Sequence, residues 1–130
     1  MKKLLTLLLL AFAFVVASPR VALAESSAVE RMAERAVVFV ETIAGIVDRD
    51  MRDCDKMGTD LGKLADDTAS ERAELKSYKD KLTPAQKKAF LAKYGARLQA
   101  AAAKIVGGVQ ACGDNAKVKA AMAKLADTAG

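Results

Sequence analysis

The chain contains no histidine and no tryptophan, and only two tyrosines and four phenylalanines. Without histidine it lacks the usual general base, the commonest zinc ligand and the Ser-His and Cys-His nucleophile pairs. Haem attachment through C-x-x-C-H is excluded for the same reason. No glycine-rich phosphate loop is present; Gly107-Gly108 is an isolated pair. Aromatic residues are not interleaved with basic ones, so the stacking platform of a nucleic-acid binder is missing. Alternating strand patterns, long linkers and low-complexity tracts are absent too. These gaps argue against catalysis and against a resident cofactor, and a non-enzymatic protein is expected.

What is present begins with an export signal. Lys2 and Lys3 precede an apolar run from Leu4 to Ala17, and Ala22-Leu23-Ala24 supplies a small-x-small cleavage pattern. The run is short for a bilayer span of about 20 residues, and Ser18-Pro19-Arg20 interrupts it. Residues 1–24 therefore read as a signal peptide, and 25–130 as a single helical-bundle domain in the periplasm or outside the cell. Cleavage after Ala24 would remove Lys2, Lys3 and Arg20 and leave 18 basic against 16 acidic residues, a balance of +2. Cys54 and Cys112 are the only cysteines. In an exported chain they are expected to pair, two free buried thiols being the alternative.

Apolar spacing predicts four helices. Helix A spans Ser27 to Cys54, with Val29, Ala33, Ala36, Val40, Ile43, Val47 and Cys54 on its buried stripe. A break is expected at Met57-Gly58-Thr59. Helix B then runs from Thr59 or Asp60 to Lys81, on Leu61, Leu64, Thr68, Leu75, Tyr78 and Leu82. Helix C starts at Pro84 and buries Leu91, Tyr94, Leu98, Ala102, Ile105, Val109 and Cys112, with Gly107-Gly108 loosening its last turns. Gly113 stops it, and Asp114 caps helix D, Asn115 to Ala129, which buries Val118, Met122 and Leu125. The expected fold is all-α, an antiparallel up-down-up-down bundle whose last helix is short. Short connections bring the ends of A and C, and so the two cysteines, to one pole. A short helix D packed from that pole leaves the far half uncovered. An apolar groove is expected near the B–C joint, open to a ligand, a client or a second copy of the chain.

Charge is distributed unevenly. Lys76, Lys79, Lys81, Lys87, Lys88, Lys93, Arg97 and Lys104 face a single acid, Asp80, in residues 76–104, a balance of +7. Residues 48–67 carry seven aspartates against four bases, or −3. The candidate binding surface is Lys76, Lys79, Lys81, Lys87, Lys88 and Lys93 with Phe90 and Tyr94. Its candidate partners are unfolded or envelope proteins, a homodimer mate and an anionic membrane surface, with nucleic acid disfavoured. The alternative is a solvated lysine face. Asp53, Asp55 and Gly58 have partial calcium-loop spacing. However, Met57 holds the fifth position and Leu64 the twelfth, so no metal is expected. Met32, Met51, Met57 and Met122 read as core filling rather than copper ligands.

Leu82-Thr83-Pro84-Ala85-Gln86 combines several helix-start signals. Thr83 can cap, Pro84 suits the first helical position, and Gln86 completes a capping box. The segment resembles the L-T-x-x-Q signature of the Spy/CpxP-like periplasmic proteins, and it occurs once in this chain. The likeness extends to size, export signal and helical character. That resemblance implies an ATP-independent chaperone or a stress- or metal-sensing regulator. Leu82, Thr83 and Gln86 would then shape the turn, and the neighbouring groove and lysines would bind clients. A purely structural or protein-interaction module of the cell envelope is the alternative expectation.

Overall fold

The computed structural model describes residues 27–126, and all of its regular structure is helical. The leader with its cleavage site, and the expected end of helix D at Ala129, lie outside the described residues. The chain divides into two compact units, Met1–Met32 and Ala33–Gly130. Residues 27–32, the described part of the first, are helical. The second unit holds the remaining described residues, 33–126.

Five helical segments occur among the described residues: α1 (27–49), α2 (Cys54–Asp67), α3 (Ala69–Lys81), α4 (Pro84–Cys112) and α5 (Ala116–Ala126). Helix A was expected to reach Cys54 but ends earlier. The Asp53 carboxylate accepts from the Lys56 N–H at 3.0 Å and starts a new helix there. Cys54 is consequently the first residue of α2 rather than the last of α1. Gly58, expected at a break, lies inside α2. A Cβ there would sit 2.7 Å from the Lys117 carbonyl carbon and the Val118 nitrogen. Glycine is what lets α2 and α5 touch backbone to backbone.

Helix B is broken at Thr68, whose φ of −108° and ψ of 11° leave the helical range. The Thr68 hydroxyl donates to the Leu64 carbonyl at 2.6 Å, a local bond that competes with the helix ladder. Arg72, one turn into α3, is buried and donates to the Ala65 carbonyl and to the Lys124 carbonyl, each at 2.7 Å. A single guanidinium thus serves carbonyls near the C-terminal ends of both α2 and α5, where a cation is favoured.

α4 lies along α1. Gly107-Gly108 does not loosen it: Gly108 packs against Val47, and an added Cβ would collide with that side chain. The buried stripe of α4 is rotated from the expected one. Tyr94, Ala101, Gly108 and Cys112 are buried, whereas Leu91, Ala102 and Val109 are exposed. On α1 the rotation brings Val37 and Ala44 inside. At the start of α5 it is Asn115, not Asp114, that caps. Its side-chain oxygen accepts from Lys117 N–H at 3.0 Å and Val118 N–H at 3.2 Å.

The apolar core joins Ile43 and Val47 of α1, Met57, Leu61 and Ala65 of α2, Cys112 of α4, and Val118, Ala121 and Leu125 of α5. Met51 and Met122 pack against it and Met57 lies within it. Beside it the Cys54–Cys112 disulfide ties the start of α2 to the end of α4, with 5.3 Å between the Cα atoms. A disulfide is compatible with an oxidising compartment. Among the described residues no helix is long and apolar enough to cross a membrane.

Candidate functional site

The α3–α4 joint is built from the inside out by its cap. The Thr83 hydroxyl accepts the Gln86 N–H at 3.2 Å, and the Gln86 side chain accepts the Thr83 N–H at 2.9 Å. Pro84 occupies the first turn and Leu82, extended and half-buried, closes α3. This reciprocal bond pair holds the turn and carries no reactive group.

Around that turn the last two turns of α3 present Lys76, Lys79 and Lys81, and the first turn of α4 presents Lys87 and Lys88. All are exposed, as is Lys93 two turns into α4. Lys76, Lys81, Lys87 and Lys88 form no ion pair with the described residues. The two aromatic members of the candidate surface lie further in. Tyr94 is 5% exposed and is therefore part of the packing, not of an open surface. Phe90, half-buried, packs against it with the rings tilted by 49° and their centres 5.3 Å apart, and Lys93 Nζ lies 5.3 Å from the Tyr94 ring centre. Such a cation over an aromatic face is attracted by the ring quadrupole.

Arg97, half-exposed, is engaged by two carboxylates of α1. It donates to Glu34 Oε1 at 3.0 Å and engages both oxygens of Glu41. Arg97 thereby holds the Glu34 carboxyl below its ordinary value, and the bond to Glu41 raises the Arg97 guanidinium above its own. Glu34 and Glu41 lie seven residues apart on one face of α1, the one signal in the sequence that could have suggested this clamp. On the opposite flank Arg35 pairs with Glu71 at 3.4 Å and Glu74 at 3.5 Å. These ion pairs join α1 to α4 and α1 to α3, and Val37 and Ala44 of α1 and Tyr94 and Ala101 of α4 are buried.

The acidic pole has a different construction. Asp50 is buried and receives Arg49 Nε at 2.9 Å and Lys56 Nζ at 3.0 Å. Arg49 and Lys56 also reach Asp60, at 2.7 and 3.3 Å. The Arg49 hydrogen bond is the main cause of an Asp50 carboxyl well below the usual carboxylate range. Lys56 is raised in turn by Asp50. Asp53 is consumed by capping and Asp55 accepts from the Asn115 amide at 2.9 Å. No group of three or more acidic or cysteine side chains placed to hold a metal ion occurs among the described residues.

Two surfaces remain for a partner. A cleft of about 480 Å³ runs between α2 and α5, with Gly58, Gly62 and Ala121 as its floor and Lys63, Lys117 and Lys124 on its rim. Lys124 is neutralised there by Asp66 at 3.1 Å. The second is the outer face of α4. Between residues 89 and 111 every exposed position is alanine, leucine or valine, except Lys93, Gln99, Lys104 and Gln110. Leu91 is 61%, Val106 54% and Val109 41% exposed. Exposed apolar side chains thus extend along the whole of α4 to the disulfide pole, rather than being confined to the expected groove at the joint.

The chain matches no family model, and no curated protein or solved structure is detectably similar to it.

Proposed function

We propose that this is a non-catalytic exported protein that binds unfolded or envelope proteins, in a chaperone-like manner, at the basic pole of the α3–α4 joint. The observation that carries the reading is that pole. Exposed lysines surround a turn in which Leu82 is half-buried and Pro84 and Ala85 are exposed, and Lys76, Lys81, Lys87 and Lys88 are not neutralised by the described residues. Long lysine stems cover apolar surface while their charge attracts acidic segments. In this reading α2 and α3 count as one descending helix broken at Thr68, so the architecture is the up-down-up-down bundle with a short last helix. Export to the periplasm follows from the leader-like residues 1–24, and the Spy/CpxP-like resemblance of Leu82 to Gln86 points the same way.

The test is aggregation of an acidic client in the presence of residues 25–130. Sub-stoichiometric protein should delay it, and Lys76→Glu with Lys81→Glu should abolish the delay without changing the melting temperature. No delay at any ratio overturns the reading. The exposed apolar face of α4 favours a second reading, an envelope interaction module without client activity.

A further inference from the structure

α3 lies between two points where the chain leaves the helical range. Thr68 precedes it with φ of −108° and ψ of 11°, and Leu82 and Thr83 follow it extended, with ψ of 133° and 158°. Hinges are built from a few element-terminal residues of this kind. Between them α3 turns one narrow stripe inward. Glu71, Leu75, Tyr78 and Leu82 are half-buried, Arg72 is buried, and all other residues from 69 to 82 are exposed. No apolar residue of α3 belongs to the core or packs against it.

Two latches fix the stripe. The first is Arg72, which fastens the start of α3 to the Ala65 carbonyl of α2 and the Lys124 carbonyl of α5. The second is Arg35 of α1, which pairs with Glu71 at 3.4 Å and Glu74 at 3.5 Å. Arg72 is shielded from dissolved ions by its burial. The Arg35 pairs are reached by solvent and are screened by salt.

The disulfide changes what an opening of α3 entails. Cys54 is the first residue of α2 and Cys112 the last of α4, so their bond closes α2, α3 and α4 into one covalent ring. α2 is held in the core by Met57, Leu61 and Ala65, and α4 by Cys112 there and by Arg97 on Glu34 and Glu41. Both ends of α3 therefore stay anchored when α3 itself lets go. A freed segment with fixed ends gains only the entropy of a closed loop, which favours its return.

We propose that α3 is a salt-released strap, which opens and recloses as a unit between Thr68 and Thr83 while the disulfide-closed ring keeps α2, α4 and α5 packed. Opening brings Leu75, Tyr78 and Leu82 to solvent together and carries Lys76, Lys79 and Lys81 with them. Ionic strength then sets how often the inner stripe is uncovered. The inference does not rest on client binding, because a protein that binds no client can still open in this way.

Freed of its neighbours, a helix of 13 residues is marginal in water, so α3 unwinds as it opens and its amides exchange. Residue-resolved amide exchange of the purified, oxidised protein is the test. Between about 10 mM and about 1 M sodium chloride, protection of α3 relative to α2 should fall about fivefold, with α4 following α2. Arg35→Gln, at an exposed position, should give the high-salt ratio at every salt concentration. Arg72→Met should lower protection of α3 about tenfold at low and high salt alike, with α2 and α4 still protected. With Cys54→Ser and Cys112→Ser the ring is open, and the amides of α4 should lose protection along with those of α3. One common protection level for α2, α3 and α4 at every salt concentration overturns the proposal. So does a salt response of α3 that survives Arg35→Gln, or a fully protected α4 in the protein without the disulfide.

Discussion

The two ends of this small domain are held by different forces. At the disulfide end, α1, α2 and α5 enclose a continuous apolar core; glycine at 58 brings backbones into contact, and glycine at 108 makes room for the Val47 side chain. At the joint end, α3 buries one residue, Arg72, and its link to α1 is the exposed pairing of Arg35 with Glu71 and Glu74. Hydrophobic burial stabilises by about 25 cal/mol per Å² and is not screened by ions, whereas exposed ion pairs contribute little and are screened. One end is therefore a rigid anchor. The other is a more loosely tied arm that carries the basic surface.

The largest effect should come from the anchor. Removing the disulfide with Cys54→Ser and Cys112→Ser releases a loop whose closure contributes about 4 kcal/mol in the chain-entropy model, read as a fall in denaturation midpoint. Leu61→Ala, at a fully buried site, should cost about 3 kcal/mol by urea titration. If either change leaves stability intact, the core is not where the structure locates it. Asp50→Asn should cost about 2 kcal/mol at neutral pH, because two cations lose their common carboxylate. The sign is set by a depressed native pKa. The unfolded state takes up its proton first, so the contribution is full above about pH 5 and is lost as pH falls below about 4. Melting curves of parent and variant should therefore converge in acid; divergence there would refute the buried-carboxylate account.

The comparison is sharpened at the arm. Amide exchange should be faster in α3 than in α2, although the two are almost equal in length, because opening α3 exposes little apolar surface. Equal protection would mean that the arm is as firmly held as the anchor. The smallest effect should be that of Arg97→Gln. It removes a clamp between exposed or half-exposed partners and should shift the melting temperature slightly, less so at high salt.

Particular residues mark where sequence reasoning reached and where it stopped. The start of α4 was legible because Thr83, Pro84 and Gln86 act within one turn, where spacing alone decides geometry. The pairing of Cys54 with Cys112 was legible because no other cysteine is available. Gly58 was read as a break and Gly108 as loosening the last turns of its helix, since composition cannot distinguish a glycine that weakens a helix from one that lets a neighbour approach. Leu91 and Val109 were misassigned to the core because adjacent heptad stripes on one helix look alike until a partner selects one. Tyr94, read both as part of the buried stripe and as a member of the binding surface, is buried, so only the first of those readings holds. Arg72 left no signal at all, because its two carbonyl partners come from α2 and α5, seven and fifty-two residues away.

By itself, then, the sequence determined helical character, the start of α4, the covalent tie and the uneven distribution of charge along the chain. These depend on local periodicity, on capping chemistry within a turn and on counting. Only the tertiary structure decided which stripe of α4 is buried, which glycines are contact points, which base is clamped and where the apolar surface stays open. Those outcomes depend on the rotation of each helix about its axis. That rotation is set by the shapes of side chains on other helices, distant along the chain, and by no residue acting alone.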